Sequence, residues 1–237
     1  MRKFYQQEWF GIDFKSFVKL DSGRVADKSF YDKFYDEFYK RYKSYEELSE
    51  SWRDSKKAVA DFVLRQSDPS ERILSIGCGS GYVEYLLRKE GKNITAIEPS
   101  LEATRFLEQF SDVKIYHGYF PECLDKTNSF DLAYMNATEY VFDKNALIKL
   151  LNCIKDYGVK RFLLVSASIY DGRFAPLRLI KDTVKLILSR MSLYELGLFW
   201  GYMRTPDEFT KAFKEAGFEK IEMGFIREGI FWIKGEL

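Results

Sequence analysis

The stretch RILSIGCGSGYVEYLL, Arg72 to Leu87, decides the architecture of the chain. The mostly apolar run from Ile73 to Ile76, broken only by Ser75, reads as a short strand, Gly77, Gly79 and Gly81 follow at alternate positions, and a helical pattern begins at Tyr82. Glycine suits such a junction for two reasons. The backbone must turn sharply, and a ligand must approach the positive end of the next helix without a Cβ in its way. The spacing therefore predicts a nucleotide-type pocket at the tip of a buried strand. Twenty-one residues after Gly77, the segment ITAIEPS ends its strand at Glu98, where a carboxylate can accept hydrogen bonds from both hydroxyls of a ribose. Strand, loop, helix, strand and acid in that order are far more specific than the glycines alone, whose plain reading is a turn beside a surface glutamate. A dinucleotide fingerprint needs a glycine three places after its second one. Here Gly79 is followed by Gly81 and the bulky Tyr82, which disfavours NAD.

Outward from this motif, short apolar runs alternate with amphipathic ones: NITAI, LEATRFLEQF, VKIY, FDLAYM, NALIKLLNCIKDY and RFLLVSA. That alternation predicts an α/β fold, Rossmann-like, with a doubly wound and mostly parallel seven-stranded sheet. In TPDEFTKAFKEAGF, Thr205 can cap a helix, Pro206 takes its first position and Glu208 completes a capping box. Little more than Arg227-Glu228 separates EKIEMGFI from GIFWIKG, too short a link for a parallel crossover, so the sheet is expected to end in an antiparallel hairpin. Upstream, SFYDKFYDEFYKRYKSY places Phe30, Tyr31, Phe34, Tyr35, Phe38, Tyr39, Tyr42 and Tyr45 within one half-circle of a helical wheel. Ser44 and Glu47 have capping-box spacing and predict the start of a second helix, so the first sixty-odd residues read as two or more helices. The resulting division is a helical cap over residues 1–68 and a Rossmann-like domain over 69–237, carrying a lid-like insertion at 171–204.

Composition narrows the function. The 37 lysines and arginines nearly cancel 36 aspartates and glutamates, so the whole chain offers no electrostatic footprint for DNA. Cys78, Cys123 and Cys153 fit neither a disulfide framework nor a CxxC-type zinc site, which points to a reducing, cytoplasmic compartment. His117 is the only histidine, which excludes two-histidine metal sites and the HExxH arrangement, and no metal is expected. No window approaches the roughly eighteen apolar residues of a membrane span.

The GxGxG loop, the acid at the second strand and the terminal hairpin resemble the class I S-adenosylmethionine-dependent methyltransferases. The resemblance covers Ile73 to the C-terminus and implies S-adenosylmethionine as cofactor. By position it gives Gly77, Gly79 and Gly81 the methionine part, Glu98 the ribose, and Gly118, Tyr119 and Phe120 the adenine, with Cys78 and Pro99 in the same cofactor set. Asn136, after the fourth strand, joins this cofactor set. The chain departs from the family in having Ser75 where an acid usually stands two residues before the first glycine, and Tyr119 where an acid often follows the adenine-loop glycine. Asn136-Ala137-Thr138-Glu139 lacks the prolines of the box that amide and adenine methylases carry, which disfavours both substrates.

A hydroxyl acceptor benefits from a base, and two are available. His117 sits at a strand's C-terminal end, its alternative being a histidine that merely borders the adenine loop; Glu139 has the alternative of a helix first-turn carboxylate. Between Gly172 and Arg204 the chain concentrates Arg173, Arg178, Lys181, Lys185, Arg190 and Arg204. A lid over the substrate is favoured over a contact between two copies of the chain or a membrane-surface helix, and its charges suit an anionic acceptor. Arg173, Trp200, Tyr202 and Arg204, with Tyr31 and Tyr35 from the aromatic helix, form the expected substrate set. The expected function is methylation, on oxygen, of a small molecule such as a sugar, a glycan precursor or another anionic metabolite. An RNA or protein methyltransferase and a non-catalytic binding protein of the same fold are the rivals.

Overall fold

In the computed structural model, residues 2–23, 26–125, 127–169, 183–185, 187–189, 191 and 193–237 are described. The insertion residues Arg173, Arg178, Lys181 and Arg190 lie outside them. The chain opens with three short strands, β1 (Arg2–Gln6), β2 (Glu8–Trp9) and β3 (Ile12–Asp13), followed by α1 (Lys28–Arg41) and α2 (Glu50–Arg65). Then come β4 (Arg72–Ile76), α3 (Tyr82–Lys89), β5 (Asn93–Glu98), α4 (Arg105–Phe110), β6 (Lys114–His117), β7 (Leu132–Asn136), α5 (Lys144–Asp156) and β8 (Arg161–Ser166). The chain closes with β9 (Leu198–Met203), α6 (Pro206–Glu215), β10 (Glu219–Arg227) and β11 (Ile230–Glu236).

The seven-stranded sheet has the order β10-β11-β8-β7-β4-β5-β6, parallel throughout except for the antiparallel β10–β11 pair and its junction with β8. Alternation along each strand builds two cores. Leu74, Ala133, Met135, Phe162 and Leu164 face α5 and α6, while Ile73, Ala96, Leu132, Leu163 and Val165 face α2, α3 and α4. Chain order reverses between β4 and β7, since β5 and β6 extend the sheet one way and β7 and β8 the other. A crevice at the carboxyl ends of β4 and β7 is the place where such sheets bind ligands.

The capping box of α6 forms as expected: Glu208 N–H donates to Thr205 Oγ1 at 3.2 Å and Thr205 N–H to the Glu208 carboxylate at 3.0 Å. Two local expectations fail. Residues 2–13 form short strands and a turn rather than a helix: β1 pairs antiparallel with β9, almost two hundred residues away, and β2 with β3 in a hairpin. The Ser44–Glu47 pair also does not start α2. Tyr45–Glu47 is an isolated 3-10 turn, Leu48 is extended and buried, and the cap of α2 is Ser49, which accepts from Trp52 N–H at 3.4 Å.

A third core gathers the rings of the N-terminal segment, among them Phe14, Phe30, Phe34, Phe38 and Tyr45, with Phe106 and Trp200. Arg41 donates to the Gly11 carbonyl at 2.6 Å and the Tyr42 hydroxyl to the Phe10 carbonyl at 3.1 Å. These bonds fasten the β2–β3 hairpin to α1, so that Trp9 and Phe10 lie over the carboxyl edge of the sheet. Among the described residues no helix is long and apolar enough to cross a membrane.

Candidate functional site

A cavity of about 350 Å³ lies at the reversal between β4 and β7. Its floor is the loop after β4. Gly77 has φ 75°, and a Cβ there would stand 2.7 Å from the Thr138 methyl group in the loop after β7. Thr138 Oγ1 donates to the Gly77 carbonyl at 2.9 Å, so the two loops touch and only glycine fits between them. Gly81 begins α3 and packs against Leu107, which a Cβ would approach to 2.6 Å.

Glu98 borders the cavity at the tip of β5. One carboxylate oxygen accepts the Gly79 N–H at 2.9 Å and the other the Ser100 N–H at 3.1 Å. Burial pushes its carboxyl up to about 7, against the pull of those two bonds. The carboxylate is thus positioned by backbone donors with lone pairs left for a ligand. Beyond it, Gly118, Tyr119, Phe120, Ile97, Met135, Phe142 and Leu150 form a mainly apolar end, with the Tyr119 ring 61% exposed at the mouth. Cys78, Gly79, Pro99 and Asn136 also line the cavity.

The other end is aromatic: Trp9, Phe10, Tyr31, Tyr35, Phe38, Trp52, Tyr82 and Tyr140. Tyr31 and Tyr140 bring their hydroxyl oxygens to 3.3 Å, and burial raises both phenols, with Tyr35, well above their usual range. They remain neutral and can donate. Lys28 and Lys56 are the cations of the lining, the first ion-paired with Asp32 at 2.8 Å. Among the described residues no cluster of histidine, cysteine, aspartate or glutamate could hold a metal ion.

Six expected site residues fall off the cavity wall: Gly81, which packs on Leu107 behind the loop, and five others. His117 is outside the cavity wall, because the last side chain of β6 turns to α4, where its Nε2 lies 3.2 Å from the Glu108 carboxylate. Glu139 is fully buried but turned back towards β8, where it accepts the Ser166 hydroxyl; its second oxygen has no partner, and burial raises its carboxyl. Trp200 stacks behind Tyr140 at 6.1 Å and supports the wall without forming it. Tyr202 pairs across to Lys3 and packs on Phe199, away from the cavity. Arg204 is 2% exposed and donates to the carbonyls of Glu139 and Phe142, which pins the loop after β7. Arg173 lies outside the described residues. The sequence reading missed Lys56, Glu84, Thr138 and Tyr140. Only Glu84 left a signal, as an acid on the apolar face of α3 with Val83 and Leu87.

Comparison with known proteins agrees with this geometry. A protein-family profile described as a methyltransferase domain matches residues 51–223. No curated protein matches the chain by sequence. Among solved structures, human N-acetylserotonin methyltransferase in complex with S-adenosylmethionine is similar at 17% identity and TM-score 0.60, over 89% of this chain and 56% of that one. The chain thus spans little more than half of that protein's length. The S-adenosylhomocysteine complex of DhpI superposes with TM-score 0.61 at 14% identity, over 89% and 95% of the two chains. The mitomycin 7-O-methyltransferase MmcR gives 0.55 at 21% identity, over 78% and 52%. At these identities the likeness is one of fold.

Proposed function

Because the chain belongs to the methyltransferase-domain family, we propose that it methylates a small-molecule acceptor on oxygen, the acceptor being a sugar, a glycan precursor or another anionic metabolite. S-adenosylmethionine, when bound, supplies a methyl group on a sulfonium that is open to in-line displacement. The residues present fit it: a cradle at Gly77 that a Cβ would fill, a carboxylate at Glu98 fixed by two backbone donors, and an apolar end for a purine. Gly77, Cys78, Gly79 and Asn136 would border the methionine part, with Gly81 shaping the turn behind them, Glu98 and Pro99 would hold the ribose, and Gly118, Tyr119 and Phe120 would flank the adenine.

The observation that carries the small-molecule reading is a shared lining. The rings of Trp9, Phe10, Tyr31 and Tyr35 border the same cavity of about 350 Å³ as the glycine loop and Glu98, which is the size and apolar character of a small-molecule site. Alignment is the main requirement of in-line transfer, and Tyr31 and Tyr140 offer neutral hydroxyls to orient an acceptor oxygen. With His117 and Glu139 off the wall, an acceptor that enters as an oxyanion needs no base. The basic composition of residues 173–204 favours the same class.

The test offers methyl-labelled S-adenosylmethionine with sugars, nucleotide sugars, carboxylates and RNA. Label in a small-molecule product supports the reading; label confined to RNA or protein overturns it. Absence of binding by S-adenosylmethionine and S-adenosylhomocysteine in calorimetry would remove the enzymatic reading altogether.

A further inference from the structure

Where the family usually places an acid, the chain has Ser75, and the surroundings of that serine show what replaces it. Ser75 faces the layer of α2 and α3, and its hydroxyl donates to Glu84 Oε1 at 2.6 Å. The Tyr134 hydroxyl donates to the same oxygen at 2.5 Å. Glu84, in the first turn of α3, is 2% exposed and still forms part of the cavity wall. Among the described residues both side-chain bonds it receives fall on Oε1, which leaves Oε2 to be engaged from the cavity. A carboxylate therefore stands beside Ser75 after all, delivered by the helix instead of the strand.

Lys56 reaches the same cavity from α2. Its ammonium lies 5.8 Å from the centre of the Trp52 ring, and that ring stacks at 5.5 Å on Tyr82, the first residue of α3. Among the described residues Lys56 makes no hydrogen bond or ion pair, and it forms none with Glu84. Burial lowers its pKa, while Glu84 and Glu139 act at longer range to hold the charge. The N-cap of α3 is Gly81, which gives no side-chain cap to the first-turn N–H groups. A half-buried cation and a buried carboxyl, raised by its own desolvation, that do not meet are each costly to keep charged, and a ligand carrying both opposite charges relieves both costs at once.

We propose that Lys56 and Glu84 read the zwitterionic amino-acid end of the cofactor. Lys56, with the N-terminus of α3, takes the α-carboxylate, and Glu84, held by Ser75 and Tyr134, takes the α-ammonium. This rests on the cofactor reading above, and the experiment separates the two. Calorimetry compares S-adenosylhomocysteine with 5′-methylthioadenosine, which keeps the nucleoside and lacks the amino-acid end, on the wild type and on Lys56→Met, Lys56→Arg and Glu84→Gln.

The expected result is that Lys56→Met weakens S-adenosylhomocysteine about tenfold or more and leaves 5′-methylthioadenosine within twofold, with Lys56→Arg restoring most of the difference. Glu84→Gln should show the same ligand-selective loss. Equal loss for both ligands, or no loss for S-adenosylhomocysteine, overturns the assignment. An unchanged cofactor affinity with a raised acceptor KM would give Lys56 to the acceptor instead. A wild type that binds neither nucleoside refutes the methyltransferase reading itself. Melting temperatures are recorded alongside, and Lys56→Gln substitutes if the methionine variant does not fold.

Discussion

Glu98→Gln isolates the charge of the proposed ribose acid without changing its shape. In the free protein the carboxylate accepts N–H groups from Gly79 at 2.9 Å and Ser100 at 3.1 Å. Glutamine can satisfy one of those donors and must turn its own NH₂ on the other, so both the loop geometry and the ribose acceptor suffer. Loss of charge-assisted bonds to a ligand costs about 1.5–3 kcal/mol, or roughly 10- to 150-fold in the dissociation constant for S-adenosylhomocysteine. Stability of the free protein should move the other way. The carboxyl is raised from 4.5 to about 7 by burial, so between those values the folded protein keeps a proton that the unfolded chain has released. Stability accordingly falls as pH rises from 4.5 through 7 and is level above.

The full shift corresponds to about 3 kcal/mol, and solvent screening at a partly exposed group reduces it to on the order of 1–2 kcal/mol. Ribose hydroxyls donate to the ionised form, so cofactor affinity should rise with pH over the upper part of the window in which stability declines. Calorimetry and denaturant unfolding between about pH 5.5 and 8.5 measure the two slopes, and Glu98→Gln should flatten both. A wild-type affinity independent of pH, together with an unchanged dissociation constant in the variant, would refute the role given to Glu98.

Other substitutions probe the frame around it. Gly77→Ala puts a Cβ 2.7 Å from the Thr138 methyl group at φ 75°, and should cost about 2 kcal/mol or more in denaturant unfolding and abolish S-adenosylhomocysteine binding. Arg204→Met strands the carbonyls of Glu139 and Phe142, and a loss of about 2–4 kcal/mol in unfolding free energy is expected; an unaffected protein would show that the loop after β7 holds without that clamp. His117→Ala should leave kcat and cofactor affinity within about twofold, because the imidazole faces Glu108; a large fall in kcat would reinstate it as a base. Tyr31→Phe removes the hydroxyl facing Tyr140, and should raise the acceptor KM severalfold while the dissociation constant for S-adenosylhomocysteine stays put.

The glycine-loop side of the cavity was legible in the sequence because its constraints are local. A glycine that must clear a neighbouring loop and an acid at a strand tip both leave marks within about twenty-five residues of one another. The residues on the far side carry no such mark. Trp9 and Phe10 reach the cavity through the pairing of β1 with β9 and the bonds of Arg41 and Tyr42 to the hairpin, contacts between distant segments that have no local signature. The two expected bases failed for a reason of direction. Being near the carboxyl edge fixes where a Cα lies, but His117 points to α4 and Glu139 to β8, and the side-chain direction is set by partners that a periodicity cannot show.

The same distinction explains the tyrosines of α1. Their spacing places Tyr31, Tyr35, Tyr39 and Tyr42 in one row beside the phenylalanines, all with a hydroxyl to satisfy. In the fold the row divides along the helix. The Tyr39 hydroxyl donates to the Ala103 carbonyl at 2.5 Å and that of Tyr42 to the Phe10 carbonyl, so both are used to hold the helix to its neighbours. Tyr31 and Tyr35, a turn nearer the start of α1, line the cavity, with Tyr31 opposite Tyr140 and Tyr35 over Gly79. A helix whose second half is anchored through hydroxyls can present its first half without loosening. That gives a physical reason for a chain to keep tyrosine, rather than phenylalanine, at four positions of one face. It also means that Tyr39→Phe and Tyr31→Phe should separate cleanly, the first showing in stability and the second in acceptor KM.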